Sequence, residues 1–397
     1  MLKQILAIIG IGILFGSCSM KWNKAMQMGS TLQKEFNAEV TFDSYLRLII
    51  VPVEIEGTTY RFLFDTGAPF SISQELQNKL EYKTIAKGNI VDTDKNRTKV
   101  NYVSVDSLLI ADVPFYKQTA FVADFKANPI IACMELDGII GSNLMRHCNW
   151  LIKEDEQVLQ LSNDGLPESM KDVMPIPFKV DVQYNMKMDI NIGNVKASNC
   201  TVDYGSNGSL LVNKTAFKQL EENGIVKESF TEKGASSSGL LGEVRSFENK
   251  IGHVDTVQIE EVTISNVLVK SGYSNILGRE VLSRYNVFID WQNHELRLMR
   301  NNKASSAYEV FGMQVGPGNN NAVAVQAVIE NSVAAQAGIH PMMEILKVNE
   351  LDFTQGSNFC DYIHLMDSKP SELLLKIKDG EGVVSQVKLR KKRLGEK

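Results

Sequence analysis

The 397-residue sequence lacks the patterns on which most hydrolytic and nucleic-acid-binding sites are built. Its five histidines, His147, His253, His294, His340 and His364, contain no H-E-x-x-H or other paired spacing, which argues against a zinc hydrolase. No G-x-S-x-G occurs, so a Ser-His-Asp set has no local signature. There is no C-x-x-C pair either. Cys133, Cys148, Cys200 and Cys360 read as buried free thiols rather than a disulfide framework, since Cys148 and Cys200 lie in apolar, strand-like runs. A net charge of -5 without a long basic stripe offers no footprint for nucleic acid, whose phosphates need clustered Lys and Arg. The one basic run, Arg390, Lys391, Lys392 and Arg393, sits in the tail and reads as a solvated end. No metal or cofactor is expected. With 44% hydrophobic and 22% charged residues, the chain can still bury a real core and supply two or three domains.

The N-terminus carries the first positive signal. "MLKQILAIIGIGILFGSCS" has an early Lys, an apolar stretch, then Gly16 and Ser17 before Cys18. The stretch is too short to span a membrane comfortably and reads as an export signal. It resembles a bacterial lipoprotein signal, with Phe15 where Leu is usual. That resemblance implies that Cys18 becomes the lipidated first residue, that residues 19–38 form a tether, and that the protein is exported and anchored by acyl chains at a bacterial cell-envelope membrane.

An internal repeat organises the middle of the chain. "DGIIGSNLMRHCNWLIKEDEQVLQL" from Asp137 and "NILGREVLSRYNVFIDWQNHELRL" from Asn275 superpose without a gap when Gly141 is set on Gly278: Asn149 falls on Asn286, Leu151 on Phe288, Ile152 on Ile289. Asp65, in "FLFDTGAPFSIS", precedes Gly141 by 76 residues, and Asp203, in "CTVDYGSNGSLLV", precedes Gly278 by 75. Before each Asp, alternating β-branched residues around a turn predict a hairpin. After each comes a helix-like polar piece, "SQELQNKL" or "NKTAFKQLEENG". The second copy is longer between Asp203 and Asp255, on the Gly/Ser-rich "TEKGASSSGLLGEVRSF".

A charged Asp65 at the end of the apolar run Phe62, Leu63, Phe64 must be solvated, paired or put to use. Two such carboxyls packed about a pseudo-two-fold axis cannot both ionise, so they share a proton and can act as base and acid on a water and a carbonyl. The doubled Asp-x-Gly with its downstream apolar-apolar-Gly resembles the retropepsin and pepsin group of aspartic proteases, over roughly residues 40 to 300. The resemblance implies a mostly β fold of two lobes, 39–165 and 166–303, with catalytic Asp65 and Asp203 in one chain, so that a monomer suffices. It also implies that Thr66, Gly67, Ala68, Gly205 and Ser206 shape the catalytic loops, that Gly141 and Gly278 pack behind them, and that the substrate is an extended peptide or protein. Copy two departs at Tyr204, where the family has Thr or Ser. Thr66 can brace the pair from one side, and Tyr204 cannot do so in the same geometry. A Ser206 hydroxyl would favour a charged Asp203 and a protonated Asp65. Gly234 to Gly242 is the candidate flap. The competing reading is a catalytically inactive, peptide-binding lipoprotein of the same fold.

After "NNKASSAY", a polar linker, the stretch "ENSVAAQAGIHPMMEILKVNELDF" resembles a PDZ domain, an α+β unit over 308–393, with Met342 and Met343 where Gly-Asp is usual. Such a domain implies a peptide ligand added to a sheet edge, and "VFGMQV" near Val310 to Val315 is the candidate binding strand.

Overall fold

The computed structural model describes residues 20–33, 35–91, 95–236, 239–302, 309–318 and 322–394. Cys18 with its signal stretch 1–18, and residues 303–308 of the polar linker, lie outside the described residues. Among the described residues the chain is mostly β, arranged in sheets of ten, six, fourteen and two strands. Among the described residues no helix is long and apolar enough to cross a membrane.

The apolar run before Asp65 belongs to the strand Thr58–Asp65, which closes a hairpin with Leu48–Ile55 and lies parallel to Gly138–Gly141. Both flanks are covered, which is why its last residues read as a continuous apolar run rather than an alternation. In this register Asp65 stands opposite Gly141. The second copy repeats the arrangement: Val195–Asp203 pairs with Met186–Ile192 on one side and runs parallel to Ile276–Gly278 on the other, setting Asp203 opposite Gly278. The two polar pieces form the helices Gln74–Leu80 and Lys214–Glu222. Each starts where a side chain caps it, Ser73 accepting from the Leu76 amide and Asn213 from the Ala216 amide.

The six-stranded sheet joins the copies. At its centre Asn149–Lys153 pairs antiparallel with Tyr285–Asp290, Trp150 facing Ile289, Leu151 facing Phe288 and Ile152 facing Val287. Gly278 follows Gly141 by 137 residues, and the same shift carries Trp150 onto Val287, Leu151 onto Phe288 and Ile152 onto Ile289. The pairing therefore maps onto itself when the copies are exchanged. Two buried amides obey the same exchange: Asn286 Oδ1 accepts the Glu154 N–H at 2.9 Å, and Asn149 Oδ1 accepts the Trp291 N–H at 3.0 Å.

The stretch expected as a tether is not free along its length. Ala25 and Met26 are fully buried, Trp22 stacks on Tyr102, and Asn37–Thr41 forms the edge of the six-stranded sheet.

Beyond the linker, the strand Val323–Ile329 pairs with Met313–Pro317 and Glu344–Val348 over an apolar core that includes Val325, Ile339, Leu373 and Leu375. The short helix Val333–Gln336 is capped by Ser332, and Phe359–Asp367 starts with a capping box of Asn358 and Asp361.

Cys133 and Cys360 are not free thiols but a disulfide, with Cα atoms 5.1 Å apart and 227 residues between them in sequence. Cys148 and Cys200 are the buried free thiols. Spacing carries no signal for a single staple between distant parts of a chain. In the chain-entropy view, closing so long a loop restricts the unfolded ensemble by about 5 kcal/mol.

Replacing Asn149 or Asn286 by Ala leaves a buried amide of the other copy unpaired. Each variant is expected to lose about 1–3 kcal/mol in urea unfolding. An unchanged midpoint in both would mean that these amides do not help to join the copies.

Candidate active site

The two Asp-x-Gly turns meet at the join of the copies, and their glycines define how closely. A Cβ on Gly67 would lie 2.5 Å from Asp203 Cγ, and one on Gly205 would lie 2.3 Å from Asp65 Cγ. Each main chain thus backs directly onto the opposite carboxyl, which no other residue type permits. Gly141 and Gly278 sit behind the turns, where a Cβ would fall 2.1 Å from the Pro69 carbonyl carbon and 2.3 Å from Gly208 O.

Asp65 and Asp203 lie close enough for each to shift the other's hold on its proton. Burial, then the charge of Asp203, holds the Asp65 carboxyl well above the usual carboxylate range, although the Gly67 N–H donates to Oδ1 at 2.7 Å. Burial raises Asp203 as well, opposed by the hydrogen bond from Asp65, the amides of Gly205 and Ser206, and the charge of Lys187. Both carboxyls are thus pushed above the usual carboxylate range, Asp65 further than Asp203, because two such groups this close cannot both carry charge. Ser206 acts here through its main-chain amide, where the sequence suggested its hydroxyl.

Thr66 is fully buried and braces the turns. Its Oγ1 donates to Val202 O at 2.7 Å and accepts the Tyr204 N–H at 3.1 Å. Tyr204 itself contributes only that amide. Its ring is fully buried edge-on to Phe64, centroids 5.6 Å apart, and its hydroxyl has no hydrogen-bond partner among the described residues. Burial, then the nearby Glu154, lifts the phenol well above its ordinary value, with Arg279 opposing. The phenol therefore lies towards the buried charges beneath the turns.

Those charges escaped sequence reasoning. Arg279 Nε donates to Glu154 Oε1 at 2.9 Å and Nη2 to Oε2 at 2.8 Å, a buried two-pronged bond between the copies. The Arg279 amide also donates to Ser206 O at 2.8 Å. The equivalent position in copy one is Ser142, whose amide donates to Ala68 O at 2.9 Å and whose hydroxyl donates to Thr66 O at 2.7 Å. The signal was available: in "IIGSNLM" and "ILGREVL" the residue after the glycine is Ser in one copy and Arg in the other.

Ala68 borders an apolar wall that includes Leu48, Ile50, Leu63 and Ile139. The candidate flap, Gly234 to Gly242, lies in the hairpin of Ser229–Ser236 and Arg245–Ile259; residues 237–238 lie outside the described residues. Leu240 and Leu241 pack onto the same wall, and Gly239 O accepts Asn128 Nδ2 at 2.8 Å. Among the described residues no group of three or more His, Cys, Asp or Glu is placed to hold a metal ion.

Residues 51–144 match the family model described as aspartyl protease, a span that contains Asp65, Thr66, Gly67, Ala68 and Gly141 and stops short of Asp203. No curated protein matches the chain.

Two outcomes are expected. Both carboxyls bind protons more tightly folded than unfolded, so their contribution to stability is full below the unfolded value and is lost as pH rises through the folded ones. From about pH 4 upward, stability should fall by up to about 1.4 kcal/mol per pH unit per proton, and Asp65→Asn should flatten that slope. An unflattened slope would show that folding does not raise the Asp65 carboxyl. Tyr204→Phe removes a buried hydroxyl that has no partner; urea unfolding should show it no less stable, by about 1 kcal/mol in its favour. A clear loss would mean that the phenol has a partner in solution.

Proposed function

We propose that the protein is an aspartic endopeptidase whose two lobes, residues 39–165 and 166–303, are related by a pseudo-two-fold axis and supply Asp65 and Asp203 as one catalytic pair. The observation that carries this reading is the reciprocal contact of Gly67 with Asp203 and Gly205 with Asp65. The aspartyl protease match over copy one supports it, as does the exchange of Asn149 and Asn286 across the join.

In the reaction, charged Asp203 takes a proton from water as that water attacks the peptide carbonyl. Protonated Asp65 gives its proton to the carbonyl oxygen, forming a tetrahedral diol. As the C–N bond breaks, the leaving nitrogen takes the proton held by Asp203 and the diol returns its proton to Asp65. Neither a covalent intermediate nor a metal is required. Thr66, Gly67, Ala68, Gly205 and Ser206 hold the turns, with Gly141 and Gly278 behind them.

Tyr204 favours a second reading, a catalytically silent peptide-binding protein. Against it stands Thr66, which still spans both turns with one hydroxyl.

Lipidation of Cys18 would tether the enzyme at a cell-envelope membrane, and the Cys133–Cys360 disulfide suits an exported protein. Residues 308–393 would act as a PDZ-like unit. No nucleic-acid partner and no cofactor enter the mechanism.

The protein lacking residues 1–18 should cleave members of a mixed peptide library between pH 3 and 8, with new termini read by mass spectrometry. Asp65→Asn and Asp203→Asn should each lower cleavage by about 10²–10⁴-fold. No cleavage by folded wild type at any pH, with peptide still bound, would favour the silent reading.

A further inference from the structure

The C-terminal unit holds the rest of the chain at two separate points, and both lead to the hairpin beside the carboxyl pair. At the first, Val323–Ile329 adds as an antiparallel strand to Ser229–Ser236, the first strand of the candidate flap, with Glu232 facing Ile329, Lys233 facing Val328 and Gly234 facing Ala327. The strands are so close that a Cβ on Gly234 would lie 2.2 Å from Gln326 O. Gln314 Nε2 adds a hydrogen bond to the buried Glu232 at 2.8 Å.

At the second point, the short helix Pro129–Cys133 packs against both Met313–Pro317 and the helix Phe359–Asp367. Met313–Pro317 overlaps the strand, near Val310 to Val315, on which the sequence suggested that a peptide would add, and Pro129–Cys133 lies in the groove between that strand and the helix. The occupant is a segment of copy one, and Cys133 bonds it covalently to Cys360 on the groove helix. The same segment reaches the flap. Asn128 caps it by accepting from the Ile130 amide at 2.9 Å, while its Nδ2 donates to Gly239 O at 2.8 Å. A Cβ on Gly242 would fall 1.9 Å from Ala127 O, so the described tip residues lie directly on this segment.

The contacts form a closed circuit: flap strand, Val323–Ile329, groove helix, disulfide, Pro129–Cys133, Asn128, flap tip. Only one link in it is a bond that chemistry can cut and remake. We propose that Cys133–Cys360 is a redox latch. Intact, it holds the hairpin down with Leu240 and Leu241 against the wall beside Ala68; reduced, it frees the groove segment and lets the hairpin lift, admitting an extended peptide to Asp65 and Asp203. The regulatory meaning rests on the protease reading, whereas the movement does not.

The co-reactant is a dithiol. Its thiolate attacks the sulfur of Cys360, which is half-buried, rather than that of Cys133, which is only 6% exposed. The S–S bond breaks, the Cys133 thiolate leaves and takes a proton, and a mixed disulfide joins Cys360 to the reductant. The second reductant thiol then displaces Cys360, which is protonated in turn. Two electrons and two protons pass to the protein, and the dithiol ends as a disulfide.

Hydrogen–deuterium exchange on the full chain tests the latch, comparing the oxidised protein, the protein reduced with dithiothreitol, and Cys133→Ser/Cys360→Ser. Thiol labelling at Cys133 and Cys360 verifies the redox state. Exchange in peptides covering 127–133 and 239–245 should quicken by about tenfold or more in the reduced protein and the double variant, while the strands leading to Asp65 and Asp203 stay protected. Peptide cleavage, measured in parallel, should rise with it. Unchanged exchange at 239–245 after verified reduction overturns the latch, whatever the cleavage rate. Faster exchange without cleavage in either state supports the latch and removes the protease reading. Should the double variant fail to fold, the comparison stands on reduction and on Asn128→Ala. That variant keeps the disulfide and cuts only the tip, so exchange should quicken at 239–245 and not along the groove helix.

Discussion

The structure depends on how closely two backbone turns can approach. Each turn places a carboxyl where the other has only a glycine hydrogen, so neither turn can tolerate a side chain at Gly67 or Gly205. Everything nearby serves that approach. The parallel strands Gly138–Gly141 and Ile276–Gly278 hold Asp65 and Asp203 at matching heights. The amides after Gly141 and Gly278 donate to Ala68 O and Ser206 O and so fix the far side of each turn. Two carboxyls kept so close in a buried place cannot both carry charge, and the pair's acid and base characters follow from that constraint.

The two copies are joined by devices of different kinds. The sheet pairing around Leu151 and Phe288 and the exchanged amides of Asn149 and Asn286 are indifferent to which copy is which. Beneath the turns, by contrast, copy one offers Ser142 and Glu154 while copy two offers Tyr204 and Arg279. A buried ion pair of that kind is a modest source of net stability and a strong penalty against separating its members. It gives the join a direction that the sheet alone lacks, and it sets the field around the Tyr204 phenol.

Much of this was legible in the sequence because repetition is a pattern within one chain. Superposing Gly141 on Gly278 located Asp203, both hairpins and both helices, and it placed Asn149 on Asn286. The doubled carboxyl was readable because a charge ending an apolar strand needs a reason. The Cys133–Cys360 bond was not readable, since nothing local distinguishes a cysteine bonded across 227 residues from a buried free thiol such as Cys148. The contact of Val323–Ile329 with Ser229–Ser236 was hidden for a related reason: strand addition uses main-chain groups, which every residue except proline supplies. The Glu154–Arg279 pair lay in plain view as the one charged residue after a repeat glycine, but its partner sits far away in sequence.

Unequal sharing of a single proton by Asp65 and Asp203 can be read by carboxyl-carbon NMR titration. With aspartate carboxyls labelled and the two resonances assigned through Asp65→Asn and Asp203→Asn, one carboxyl should stay protonated well above the usual range, assigned to Asp65. Both resonances should move when either partner ionises. Two independent titrations near the ordinary aspartate value of about 3.9 would contradict it.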